Sequence, residues 1–129
     1  MYCLDTDIII SIFRGDSDLK KKLSAINIDE VAFSIITLCE LFRGAYKSRD
    51  KDRNLFLIYD ALRNYRLLSL GIKSAELSGA DFNKLEKKGS QTQMFDLLIA
   101  SIAKENNAII ITRNKKHFEN IPDIKFEEW

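Results

Sequence analysis

Three carboxylates stand where an amino-acid sequence rarely places a charge. Asp5 closes the apolar run Tyr2-Cys3-Leu4, Glu40 interrupts the helix-like stretch Ile35 to Lys47, and Asp96 is the single charge in the run Met94 to Ala103. An unpaired buried carboxylate costs roughly several kcal/mol, so such groups are paired, hydrogen-bonded or bound to a cation. Read singly, each has an ordinary explanation. Asp5 can cap the helix that follows, Glu40 can pair with Arg43 one turn on, and Asp96 lies near a helix start, where the macrodipole favours an anion. Read as a set, they point to chemistry. Clustered carboxylates raise one another's pKa unless a cation neutralises them. The chain has one His, and its Cys residues lie far from any Cys/His ligand pair. Zinc is therefore not expected, and oxygen donors suit a hard ion, Mg²⁺ or Mn²⁺. Such an ion polarises a phosphodiester and lowers the pKa of an attacking water.

The elements that must position these groups follow from the pattern. Tyr2 to Leu4 reads as a buried strand with Asp5 at its carboxyl end, the place where open α/β sheets bind ligands. A helix from Ile8 to Phe13 follows, with Thr6 or Asp7 as its cap and Arg14-Gly15 as its stop. Leu19, Leu23 and Ile26 recur at helical spacing behind the cap candidate Asp16-Ser17-Asp18, with Lys20-Lys21-Lys22 facing outward. Val31 to Ser34 is a short strand. Ile35 to Lys47 is a helix whose apolar stripe is Leu38, Leu41, Phe42 and Ala45, with Glu40 on another face. Ser48 to Arg53 reads as a charged turn, Leu55 to Tyr65 as an amphipathic helix, and Arg66 to Leu70 as a strand. Ile72 to Lys88 is a polar-faced helix closed by Gly89. Met94 to Ala103 is apolar nearly all round, hence a buried helix. Ala108 to Ile111 is the clearest β-branched strand, Lys115 to Phe118 a helical turn, and Ile124 to Trp129 an edge strand. Strands alternating with helices imply parallel βαβ units, and so a three-layer α/β/α sandwich around a parallel sheet. The alternation carries no strand order.

Composition narrows the class. With 129 residues, 46% hydrophobic and 30% charged, one domain over residues 1–129 is expected, and five Gly and one Pro leave little for a linker. A net charge of +1 announces no polyanion, although basic residues cluster at Lys20 to Lys22, Arg43 to Arg53 and Arg113 to Lys116. Cys3 and Cys39 read as two buried thiols of a cytoplasmic chain, with a disulfide as the open alternative. No apolar stretch is long enough to span a membrane.

The motifs Leu4-Asp5-Thr6-Asp7, Ser34 with Thr37 and Glu40, Asp96 with Ile99-Ala100, and Thr112-Arg113-Asn114 with Phe118 resemble, in order and spacing, those of PIN-domain ribonucleases. The closing Phe-Glu-Glu-Trp is similar to the tail of many such chains, and the likeness covers essentially the whole sequence. Within the family it resembles the VapC-like toxins of prokaryotic toxin–antitoxin pairs. The resemblance implies a PIN-like α/β/α sandwich and Mg²⁺- or Mn²⁺-dependent endonuclease action on RNA. It also implies a VapB-like antitoxin as partner and a homodimer. Carried over by position, Asp5 and Asp96 are the main metal ligands and Glu40 holds the ion or its waters. Asn114 stands at a fourth position that is often Asp, which removes one negative charge and argues against a second ion. Asn114 can still hydrogen-bond a metal-bound water. Thr6 and Thr112 are implied as pocket hydroxyls. Arg43 and Arg113 are candidates for holding phosphates, with neutralisation of Glu40 as the open alternative for Arg43. Asp7, where Asn is common, has no assigned role. Glu119 is a further candidate near the pocket, and His117 is expected to be structural or on the surface.

Other readings compete. Asp5-Thr6-Asp7 is also similar to the two-aspartate motif of haloacid-dehalogenase-like phosphatases. That motif needs a Thr where this chain has Ile9, and Ile8-Ile9-Ile10 leaves no polar phosphate loop. A response-regulator receiver would need an acid ending the middle strand, where the chain has Leu68-Ser69-Leu70. A catalytically inactive PIN-like binding module is the remaining alternative, opposed by the complete set Asp5, Glu40 and Asp96.

Overall fold

A computed structural model describes every residue, Met1–Trp129. Strand β1 (Tyr2–Leu4) leads into α1 (Thr6–Phe13) and α2 (Ser17–Ser24). Strand β2 (Val31–Ser34) then leads into α3 (Ile35–Lys47) and α4 (Lys51–Asn64), and β3 (Arg66–Leu68) into α5 (Ile72–Lys87) and α6 (Met94–Glu105). Strands β4 (Ile109–Thr112) and β5 (Phe126–Glu128) close the chain, with a single-turn helix at Lys115–His117 between them. The five strands form one sheet in the order β3-β2-β1-β4-β5, all parallel.

Alternation along the strands sorts the core into two layers. Cys3, Ala32 and Ile110 face α5 and α6, packing with Leu85, Leu97, Ile99, Ile102 and Phe118. Leu4, Val31, Phe33 and Ile111 face the other way, against Ile8, Ile9, Leu19, Leu38, Leu41 and Ile58 from α1 to α4. β1 is thus covered on both faces, as parallel strands are. The expected α/β/α sandwich is the architecture observed, and the sequence-based elements fall close to their positions.

Four local readings change. The cap of α1 is Asp5 itself rather than Thr6 or Asp7. The stretch Lys51 to Arg53, read as a charged turn, is the first turn of α4, because a fully solvated helix start needs no apolar stripe. β3 ends at Leu68 and leaves out Ser69-Leu70, since its partner β2 ends at Ser34. Cys3 is buried, but Cys39 is exposed, and both thiols are free. Cys39 lies beside Glu40 on the face of α3 turned away from the Leu38, Leu41 and Ala45 stripe, which is why the expectation of burial fails.

Candidate active site

The chain winds from β1 outward through β2 to β3, then crosses back to lay β4 and β5 on the other side of β1. The carboxyl ends of β1 and β4 are therefore the point where winding reverses, which is where doubly wound sheets bind their ligands. Asp5 follows β1 directly, and its backbone N–H donates to the Ile111 carbonyl of β4 at 2.9 Å. Its carboxylate is held at both oxygens: Oδ1 accepts from the Thr6 N–H at 2.8 Å, and Oδ2 accepts from the Thr112 hydroxyl at 2.8 Å. Thr112 Oγ1 in turn accepts from the Asn114 N–H at 3.0 Å, which shapes the turn after β4.

Glu40 reaches the same end of the sheet through a cap. Ser34 ends β2, and its Oγ accepts from the Thr37 N–H at 3.0 Å, with the Thr37 hydroxyl also 3.0 Å away. Both residues are buried, so the start and rotation of α3 are fixed. Further along α3, Glu40 is partly buried and its Oε2 accepts from the Thr6 hydroxyl. Asp96 lies in the first turn of α6 and is 8% exposed. His117 Nδ1 sits 3.6 Å from its Oδ1, and His117 Nε2 lies 2.7 Å from the Asn114 side-chain amide.

The electrostatics are those of crowded negative charge. Burial pushes the Asp5 carboxyl up to about 6, with Asp7 and Asp96 adding to the rise and the Thr112 hydroxyl and Thr6 N–H opposing it. Burial also raises Asp96; His117 opposes this, and the Glu40 charge adds to it. The Cys3 thiol beneath Asp5 is pushed up to about 12 by burial and the Asp5 charge, so it is inert.

The structure thus brings Asp5, Thr6, Glu40, Thr112, Asp96 and Asn114 into one linked cluster at the strand ends. Other expected residues stand differently. Arg113 is tied back, with one guanidinium nitrogen 2.5 Å from Asp16 and another donating to Ser11 at 3.1 Å. Arg43 is exposed and makes no ion pair with Glu40. Glu119 is exposed, and its side chain makes no hydrogen bond or ion pair with the cluster. His117, expected to be structural or on the surface, is exposed, and its ring lies between Asp96 and the Asn114 amide. Asp7, which had no role, accepts from the Arg113 N–H at 3.0 Å and so pins the β4 turn to α1.

The donor set fits a hard divalent cation. Asp5, Asp7, Glu40 and Asp96 are all oxygen donors, and the two most buried have raised carboxyl pKa values that a cation would relieve. Asp7 Oδ1 is a buried oxygen with no hydrogen-bond partner. No three such side chains converge on one point here: Glu40 takes the Thr6 hydroxyl instead, and Asp96 faces His117.

A group of crowded carboxylates at the switch point of a doubly wound parallel sheet defines the class: an α/β/α domain with an acidic, oxygen-donor centre. The PIN domain family model matches residues 2–124, and the chain belongs to that family. Nucleases of the family in general depend on a divalent metal ion. The Ribonuclease VapC2 of Rickettsia felis is 33% identical over 132 residues, spanning 100% of this chain and 98% of that protein. The tRNA(fMet)-specific endonuclease VapC of Salmonella typhimurium is 29% identical over 128 residues, spanning 99% and 97%. The crystal structure of VapBC2 from Rickettsia felis bound to a DNA fragment from their promoter superposes with a TM-score of 0.91 at 30% identity, covering 99% of this chain and 98% of that one. No helix is long and apolar enough to cross a membrane.

Proposed function

We propose that this chain is an Mg²⁺- or Mn²⁺-dependent endoribonuclease that hydrolyses RNA phosphodiester bonds, and that it is the toxin of a VapBC-type pair. The observation that supports this reading is the crowding of negative charge at one sheet end: burial raises the Asp5 and Asp96 carboxyls, Asp7 and Asp96 add to the rise at Asp5, and Glu40 adds to it at Asp96. Residues 1–129 act as one PIN-like domain in the cytoplasm, as a homodimer, with a VapB-like antitoxin as partner. The likeness to VapC ribonucleases and to the VapBC2 complex of Rickettsia felis supports the assignment of RNA and antitoxin.

Asp5 and Asp96 would hold the ion, with Glu40 holding it or its waters. When bound, that ion supplies charge stabilisation on the phosphate and a more acidic water. The protein's own contribution is positional. Thr112 and the Thr6 N–H fix both oxygens of Asp5, so its carboxylate cannot rotate away. The Thr6 hydroxyl bonds one oxygen of Glu40, and the other would be the acceptor for a proton from the attacking water. His117, bonded to the Asn114 amide, lies 3.6 Å from Asp96 and would set its direction. Arg43, exposed on α3, is available to a flanking phosphate, and Arg113 is preorganised by Asp16 rather than free to swing.

The test is cleavage of a structured RNA pool by purified protein, with Asp5→Asn and Asp96→Asn beside it. Cleavage that needs Mg²⁺ or Mn²⁺ and is lost in both variants is expected. Activity surviving in either variant would overturn the site assignment. Absence of cleavage across transfer, ribosomal and messenger RNA, with metal binding intact, would favour the inactive binding module.

A further inference from the structure

The basic cluster at Lys21 and Lys22 and the terminal Trp129 take no part in the site described above. The structure places them together, next to it. The Trp129 N–H donates to the Thr112 carbonyl at 3.1 Å, so this residue leaves β5 at the same sheet end as the carboxylates. Thr112 is the residue whose hydroxyl holds Asp5. Beside Trp129 opens a cavity of about 500 Å³ lined by Asp18, Leu19, Lys21, Lys22, Arg113 and Trp129. That volume lies within the range of small-ligand sites. Three of the lining side chains are cationic and one is acidic. The indole is partly exposed; Tyr2 lies against it at 6.2 Å between ring centroids, and the Lys22 ammonium sits 5.6 Å over it.

We infer that Trp129, Lys21, Lys22 and Arg113 form a nucleotide subsite beside the catalytic carboxylates, in which a base of single-stranded RNA stacks on the Trp129 indole and the adjoining phosphate is held by the lysines. The inference rests on the ribonuclease reading for its ligand class. An aromatic face next to lysines and an arginine is the arrangement that binds unpaired nucleotides: bases stack, and the cations track the backbone. Lys22 now rests on the indole. An exposed cation–π contact is weaker than base stacking on an aromatic ring, so a base displaces the ammonium and frees it for the phosphate. Arg113 is held in the cavity wall by Asp16 and Ser11, so one cation is preorganised while the two lysines adapt. Because Arg113 directly follows Thr112, the subsite continues the site along the strand rather than standing apart from it.

Trp129 is the single tryptophan of the chain, so its emission reports the subsite alone. The wild-type protein, kept in chelator so that RNA survives, is titrated with a short oligouridylate, and tryptophan emission is followed together with anisotropy of a labelled strand. Saturable quenching that tracks the anisotropy is expected. Trp129→Leu, which keeps an apolar side chain against α2, should weaken binding about tenfold, and Trp129→Phe should restore it to within about threefold. Lys21→Ala with Lys22→Ala should weaken binding and lower the slope of log affinity against log salt by about 1.4. Binding seen by anisotropy with unchanged emission, and equal affinity in Trp129→Leu, overturns the subsite and leaves the ribonuclease reading standing. Quenching that persists in a protein unable to cleave RNA with any divalent metal upholds the subsite and overturns the ribonuclease reading.

Discussion

Asp5→Asn should make the protein more stable near neutral pH while abolishing its activity. The Asp5 carboxyl titrates at about 6 in the fold, against an ordinary value of 3.8. At about 1.4 kcal/mol for each tenfold change in proton affinity, that difference is roughly 3 kcal/mol. The sign follows from which state holds the proton more tightly. The folded carboxyl does, so the protein is favoured while Asp5 is protonated, and stability falls as pH rises from about 4 to about 6, remaining lower above that. Asparagine keeps the shape and one acceptor for the Thr6 N–H but loses the Thr112 bond; its charge-assisted part is already contained in the shift, and the remainder is worth about 1 kcal/mol. The net gain is about 2 kcal/mol, or roughly 6–10 °C in Tm for a chain of this size. Urea unfolding in chelator, repeated across pH, measures it. The gap between variant and wild type should open between about pH 4 and pH 6 and close below. Saturating Mg²⁺ should then stabilise the wild type, by about 2.7 kcal/mol at a hundredfold excess over Kd, and leave the variant unchanged. A variant less stable than wild type near neutral pH, or a gap that ignores pH, would refute the argument that crowding and burial strain this carboxylate.

Thr112→Val removes a hydroxyl that donates to Asp5 and accepts from the Asn114 N–H, so the variant should lose about 1–2 kcal/mol. Loss of that donor should also raise the Asp5 carboxyl further, which the titration of its carbon resonance in NMR would show as a midpoint above about 6. Lys104→Met leaves Asp81, 3% exposed, without the ammonium now 2.5 Å away, and should cost about 3–5 kcal/mol in denaturant unfolding. Asp81→Leu added to it should recover most of that loss, since the pair would then be replaced rather than broken. A single variant as stable as wild type would show that the pair carries no buried charge.

Much of the site was legible because its chemistry is local. Asp5 after an apolar strand, Ser34 before a helix carrying Glu40, and Asp96 in an apolar run are each a charge or cap at a place where burial forbids an idle one. What local pattern does not carry is which partner a side chain finds: Arg113 is held by Asp16 and Ser11, and exposed His117 faces Asp96, pairings that exist only in space.

The sequence by itself determined the element types, the parallel α/β/α class and the three carboxylates, since period, capping and burial cost act over a few residues and leave their pattern in the chain. Only the tertiary structure decided that β1 lies between β2 and β4, because strand order is a choice among packings that the same alternation permits. That choice sets Asp5 against Thr112, more than a hundred positions apart, and brings Trp129 and Lys22 to the edge of the same site. Side chains meet across such distances through the fold alone, and the Asp5 carboxyl, raised chiefly by its burial in that fold, is the physical record of it.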